Sequence, residues 1–136
     1  MPTYGLYPWT PDYGYRYVHP ASRVLFEDVE PLGKVFERLG DAQPDADGEW
    51  LLLRYDDATF KVRPELFSEL AGPARRLPFA FGDPVRERLG EAGQAPRRGT
   101  IAGIFWDTAA DRARYTLWLG KRRHDHVYAA DELLPA

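Results

Sequence analysis

Phe81-Gly82-Asp83-Pro84-Val85-Arg86, Gly99-Thr100-Ile101-Ala102-Gly103-Ile104-Phe105-Trp106-Asp107, Tyr115-Thr116-Leu117-Trp118-Leu119-Gly120 and Tyr128-Ala129-Ala130-Asp131-Glu132-Leu133 decide the fold. They follow one another between Phe79 and Leu134. Each is a short apolar or alternating run bounded by Gly, Pro or Asp, as successive antiparallel strands require. The pattern predicts strands at Val85–Leu89, Thr100–Trp106, Arg114–Leu119 and Asp125–Tyr128, then a terminal turn at Glu132–Leu134. The loop Gly90–Arg98 holds Gly93 and Pro96, and polar turns fall at Asp107–Arg112 and Gly120-Lys121-Arg122.

Upstream, residues 3–20 form an aromatic arm broken by Pro8, Pro11 and Gly14. Within it Tyr13, Tyr15 and Tyr17 alternate, which predicts three rings on one face of a strand. Ser22 is placed to cap a short helix over 21–30 that ends before Pro31. Gly33–Gly40 predicts a strand with Val35, Glu37 and Leu39 on one face. Asp41–Gly48 predicts a polar turn. Glu49–Tyr55 and Thr59–Val62 then make a hairpin about Asp56-Asp57, followed by one helical turn at Pro64–Phe67. Residues 71–78 are the linker, which divides the chain into 1–72, an arm, helix and hairpin unit, and 73–136, a strand unit.

The two parts echo each other. Gly33-x-Val35 and Gly99-x-Ile101, Leu52 and Leu117, and Glu65-Leu66 and Glu132-Leu133 recur at nearly one offset. That suggests a degenerate repeat of one strand–turn–strand unit.

The 136 residues suffice for one domain or two very small ones. Four Trp, eight Tyr and seven Phe supply buried area that a small β protein otherwise lacks. The absence of cysteine excludes a disulfide framework, a thiolate metal site and a cysteine nucleophile. Met1–Tyr7 has no basic region leading into an apolar core, and no apolar run is long enough to span a bilayer; a cytoplasmic location is the expectation. Fifteen Arg against three Lys suggests a GC-rich bacterial genome. Net charge is −3 overall. It divides unevenly: 7 basic minus 13 acidic side chains gives −6 for 1–72, and 11 minus 8 gives +3 for 73–136. Such asymmetry suits charge steering toward a protein partner.

Phe81-Gly82-Asp83-x-Val85, Gly99-x-Ile101, Tyr115-x-Leu117 and Tyr128-x-x-Asp131-Glu132-Leu133 together resemble the SH3-like barrels of many small bacterial proteins. The resemblance implies that Gly-Asp-x-Val sets the turn into the first strand and that the Gly-x-Ile strand is strongly bent. It also implies a groove able to take Pro-rich ligands on aromatic rings. The arm Tyr4–Trp9 to Tyr17–Pro20 resembles bacterial proteins of an uncharacterised family. The expected fold is therefore mainly β (α+β): a C-terminal SH3-like small barrel beside an N-terminal unit of one short helix and an antiparallel hairpin sheet.

Catalytic signatures are weak. Ser22 and Ser68 lie outside any nucleophile elbow, and no glycine-rich phosphate loop is present. His124-Asp125-His126 supplies two imidazoles to one strand face, a metal alternative that needs further ligands such as His19 or Glu132. Lys121-Arg122-Arg123-His124, with Arg97-Arg98 and Arg75-Arg76, offers a nucleic-acid alternative in which Trp106, Trp118 and Tyr128 stack bases. The leading expectation is a non-catalytic module that needs no cofactor and recognises a protein partner, for instance as a toxin-neutralising protein. Its contacts would be Trp9, Tyr13, Tyr15 and Tyr17, with Asp45, Asp56 and Asp57 as an acidic rim and Arg122 and Arg123 as a basic one.

Overall fold

The structure, a computed structural model, describes residues 2–72, 76–90 and 92–136. Arg75, grouped above with the basic patch, lies outside them. The chain divides into two units, Met1–Arg75 and Arg76–Ala136. Each is built on a five-stranded antiparallel sheet. Unit 1 contains β1 (Thr3–Leu6), β2 (Val35–Asp45), β3 (Gly48–Tyr55), β4 (Ala58–Val62) and β5 (Ser68–Glu69). Unit 2 contains β6 (Pro84–Glu87), β7 (Arg98–Asp107), β8 (Arg112–Leu119), β9 (Arg122–Ala129) and β10 (Leu133–Pro135).

The sheet orders are β4-β3-β2-β1-β5 and β10-β6-β7-β8-β9. Numbered within its own unit, each sheet runs fifth, first, second, third, fourth. In each a single 3-10 turn, Pro64–Leu66 or Ala130–Glu132, precedes the fifth strand. The second strand is bulged in both, between Arg38 and Gly40 and between Ile101 and Gly103. Bulges bend a strand and increase its twist. Leu52 and Leu117 do not correspond, however. Leu117 is wholly buried, whereas Leu51, Leu53 and Tyr55 turn inward around a half-buried Leu52.

The arm contains a strand. Thr3–Leu6 pairs with Val35–Arg38 on one side and Ser68–Glu69 on the other. A Cβ on Gly5 would lie 2.4 Å from the Phe67 ring, so the close approach of β1 and β5 depends on glycine there. Tyr13, Tyr15 and Tyr17 do not share a strand face. Pro11–Tyr13 and Tyr15–Tyr17 are 3-10 turns separated by Gly14 at φ 95. Pro11 fixes the first turn, and the Trp9 indole N–H donates to the Gly14 carbonyl at 3.0 Å. Local turn chemistry overrides the alternation.

The chain then returns to the sheet. Val18 bridges Val62, His19 N–H donates to the Lys61 carbonyl and Arg63 N–H donates to the Tyr17 carbonyl, both at 2.9 Å. The free edge of β4 is thereby covered, which removes a template for unwanted pairing. The expected helix is two four-residue pieces, α1 (Pro20–Arg23) and α2 (Leu25–Asp28). His19, not Ser22, caps α1, its Nδ1 accepting from Ala21 N–H. Ser22 is buried and its hydroxyl accepts from Lys61 N–H at 2.9 Å, tying α1 to β4.

The core of unit 1 is aromatic. Phe26 stacks on Phe60 at 4.5 Å and on Trp9 at 5.5 Å, and Phe36 meets Phe60 edge-on. Val35 and Phe36 are both wholly buried and Leu39 is half exposed, so the simple alternation expected for this strand fails where β2 has cover on both faces. Asp41–Asp45 continues β2, which leaves a tighter turn before Gly48 than the composition suggests.

In unit 2, Val85, Ile101, Ile104, Tyr115, Leu117 and Leu133 are buried with little or no exposure. The predicted terminal turn is a 3-10 turn plus a closing strand, β10, which pairs with β6 through Leu133↔Glu87. A Cβ on Gly99 would lie 2.2 Å from the Trp118 carbonyl oxygen. Backbone packing at the start of β7 therefore admits only glycine without adjustment.

Candidate functional site

In unit 1 the arm and the helical pieces border an open groove of about 610 Å³. Trp9 and Phe26 form its floor, and Pro11, Tyr15, Pro31 and Leu32 its apolar walls. Trp9 is 4% exposed, stacked on Phe26 and tilted against Tyr15, so it shapes the groove more than it projects from it. Tyr15 is 51% exposed and Leu32 61% exposed. The Arg23 guanidinium lies 5.5 Å from the Tyr15 ring and donates to the carbonyls of Val18 and Tyr15, which holds the ring in place. Glu27 and Glu30 are exposed on the rim. Glu27 and Glu30 outnumber Arg23, so the groove lining is net acidic.

The remaining predicted contacts scatter. Tyr13 is half exposed and meets Tyr17 edge-on, away from the groove lining. Asp56 is buried at φ 55, so it makes the β3–β4 turn and not an acidic rim. Asp57 is exposed beside it. Asp45 sits 4.0 Å from His19 and accepts from Asp47 N–H. Contact with the Trp50 indole N–H, against the opposing cost of burial, holds the Asp45 carboxyl below its ordinary value. Arg122 and Arg123 belong to unit 2 and point to opposite faces of β9: Arg122 pairs with Leu119, and Arg123 with Trp118. They do not form one rim.

Unit 2 has a polar seam that no motif announces. Val85 and Glu87 alternate inward on β6, and Glu87 is 7% exposed. Its Oε2 accepts from the Tyr128 hydroxyl at 2.5 Å and its Oε1 accepts from Arg97 N–H at 2.8 Å. The Arg97 guanidinium lies 3.8 Å from Oε2 and 3.3 Å from His124 Nε2. Burial would raise the Glu87 carboxyl, but the Tyr128 hydroxyl, the Arg97 amide and the Arg97 charge together hold it below its ordinary value. Burial and the same carboxylate push the Tyr128 phenol upward. The only sequence sign of this seam is the parity of Glu87 with Val85, which places a carboxylate on the inner face.

His124, His126 and Tyr128 form a ring cluster, with His126 and Tyr128 centroids 4.3 Å apart. They line a shallow cleft of about 380 Å³ with Arg88, Asp131 and Glu132. Glu132 accepts from Ala129 N–H, so it serves the 3-10 turn. Among the described residues no group of three His, Cys, Asp or Glu side chains is placed to hold a metal ion. Tyr128, offered above as a stacking face, is buried. Among the described residues no helix is long and apolar enough to cross a membrane.

No curated protein and no solved structure matches the chain. A family model does, over a span that takes in both units and both sheets. Residues 1–134 match the model described as "Family of unknown function (DUF6960)", and the chain belongs to that family.

Proposed function

We propose that this protein is a non-catalytic binding module, and that the groove of unit 1 receives a segment of a protein partner. The observation that carries this is the wall of exposed apolar side chains, Tyr15 and Leu32, over a rigid Trp9–Phe26 floor with Glu27 and Glu30 above it. Stiff aromatic surface beside a charged rim is the anatomy of a protein contact. Charge complementarity selects the occupant: an extended segment with an apolar or proline anchor flanked by Lys or Arg. The buried carboxylate of unit 2 does not favour catalysis, since Tyr128 and Arg97 occupy its lone pairs.

The strand order supports an SH3-like ancestry for both units: first strand, loop, three-strand meander, 3-10 turn, fifth strand back on the first. Among the described residues the fourth and fifth strands pair in neither unit, so each sheet remains open. The repeat supports duplication of one binding scaffold. A small acidic bacterial protein of the cytoplasm that neutralises a locally encoded toxin fits these features, by analogy of class.

The test is selection of displayed random peptides on the full-length protein. Enriched peptides should combine an apolar residue or proline with Lys or Arg. Leu32→Asp should abolish the enrichment, and Glu27→Lys/Glu30→Lys should reverse its charge preference. Enrichment of acidic peptides, or none that Leu32→Asp removes, would overturn the proposal.

A further inference from the structure

We propose that the solvent face of the unit 2 sheet binds single-stranded nucleic acid. Strand pairing assembles this face from residues far apart in sequence. Arg86 on β6 lies directly opposite Arg98 on β7. The next row across four strands begins on β6 and ends on β9, and reads Pro84, Thr100, Trp118, Arg123. Side chains alternate along a strand, so Arg86 points away from the buried pair Val85 and Glu87, and Trp118 away from the buried Leu117.

The result is an indole at the middle of a sheet with three guanidinium groups around it. The Arg123 guanidinium lies 4.9 Å from the Trp118 ring centroid. Arg98 and Arg123 are exposed, and Arg86 and Trp118 half exposed. Among the described residues no carboxylate ion-pairs with Arg86 or Arg98. Asp125, the next carboxylate along β9, falls where the strand leaves its register with β8.

Like charges directly opposite one another weaken a sheet. An anion seated between Arg86 and Arg98 removes that penalty, and the neighbouring indole takes a planar group once the Arg123 guanidinium, which lies over the ring, swings onto a phosphate. A chain that offers phosphates and unpaired bases in alternation fits both. Duplex bases are stacked internally and do not reach a flat sheet. Of the two hairpin arginines Arg123 is on this face, while Arg122 pairs with Leu119 on the other side.

The test uses the full chain and a fluorescein-labelled oligothymidylate of about 12 nucleotides, with binding read by anisotropy. Wild type should bind, and affinity should fall with salt at a log–log slope near −2, about 0.7 for each of three phosphate contacts. Arg86→Gln/Arg98→Gln should weaken binding about tenfold or more and flatten the slope. Trp118→Leu should weaken it about tenfold with the slope unchanged. Arg122→Gln should stay within about twofold of wild type, since Arg122 pairs with Leu119 on the opposite side of β9. Melting temperatures check the fold of each variant. If Trp118→Leu does not fold, the arginine pair alone decides. No binding at low salt would overturn the proposal. So would binding that the arginine pair does not weaken. Heparin displacing the oligonucleotide while Trp118→Leu has no effect would also overturn it, by reducing the face to a general polyanion patch.

Discussion

The two units lay their strands in the same order yet secure the fourth strand differently. In unit 1 the segment after the first strand, residues 7–34, is long enough to return and hydrogen-bond to β4 through the backbone of Tyr17, Val18 and His19. In unit 2 the corresponding loop, residues 88–97, is short. There, among the described residues, side chains join β9 to β6, Tyr128 to Glu87 and His124 to Arg97 to Glu87. One topology thus admits two ways of holding the fourth strand, of which only the second rests on a buried carboxylate, Glu87.

The largest effect should come from the aromatic core that the long insertion brings to unit 1. Phe26→Ala removes the ring shared by Trp9 and Phe60, and should cost about 3–5 kcal/mol in urea unfolding. Amide protection across β2–β4 should fall with it. Retained protection there would show that the insertion only decorates the sheet.

Tyr128→Phe should cost about 1–3 kcal/mol at neutral pH, because it leaves a buried carboxylate short of a donor. The sign with pH follows from Glu87. Its carboxyl is held below the ordinary value when folded, so its contribution is present above the ordinary carboxylate range and is lost as pH falls through the lowered value. The cost of Tyr128→Phe should therefore shrink in acid, and Glu87→Gln should flatten that part of the pH–stability curve. Tyr7 is the control. Its hydroxyl lies 3.0 Å from the Tyr17 and Arg63 carbonyl oxygens, which do not titrate. Tyr7→Phe should cost about 1 kcal/mol with no such acid dependence. Equal pH profiles for the two variants would erase the distinction between the closures.

Gly99→Ala should destabilise unit 2 by about 1–3 kcal/mol, because the new Cβ meets the backbone of Trp118. The smallest effect runs the other way. Arg86→Gln relieves a like-charge cross-strand pair and should stabilise the free protein by about 0.2–1 kcal/mol in thermal unfolding. Destabilisation instead would mean that Arg86 serves the sheet and not a ligand.

How much of this was legible in the sequence depends on where the deciding forces act. Strands β3, β4, β7 and β8 announce themselves through apolar runs between turn residues, and the Asp56-Asp57 turn through its composition. Strands β1, β5 and β10 are too short to show periodicity; they exist because a partner strand accepts them. The Tyr13-Tyr15-Tyr17 alternation misled because Pro11 and Gly14 fix turns that a period of two cannot see. The groove was half legible. Trp9 and Tyr15 stand out as aromatics, but Phe26 and Leu32 join them only through the return of the chain. The Arg86–Arg98 opposition requires the β6–β7 register, which sequence spacing leaves open.

The central claim, that the unit 1 groove holds a protein segment, is tested most directly by a photo-crosslinking residue at Leu32 in the full-length protein in its own cells. A control crosslinker goes at Gln43, an exposed position on β2 outside the groove. The account predicts one dominant adduct from position 32, mapped to a segment with an apolar or proline residue beside Lys or Arg, and lost with Glu27→Lys/Glu30→Lys. The same adduct from position 43, or one at position 32 indifferent to the charge reversal, would contradict it.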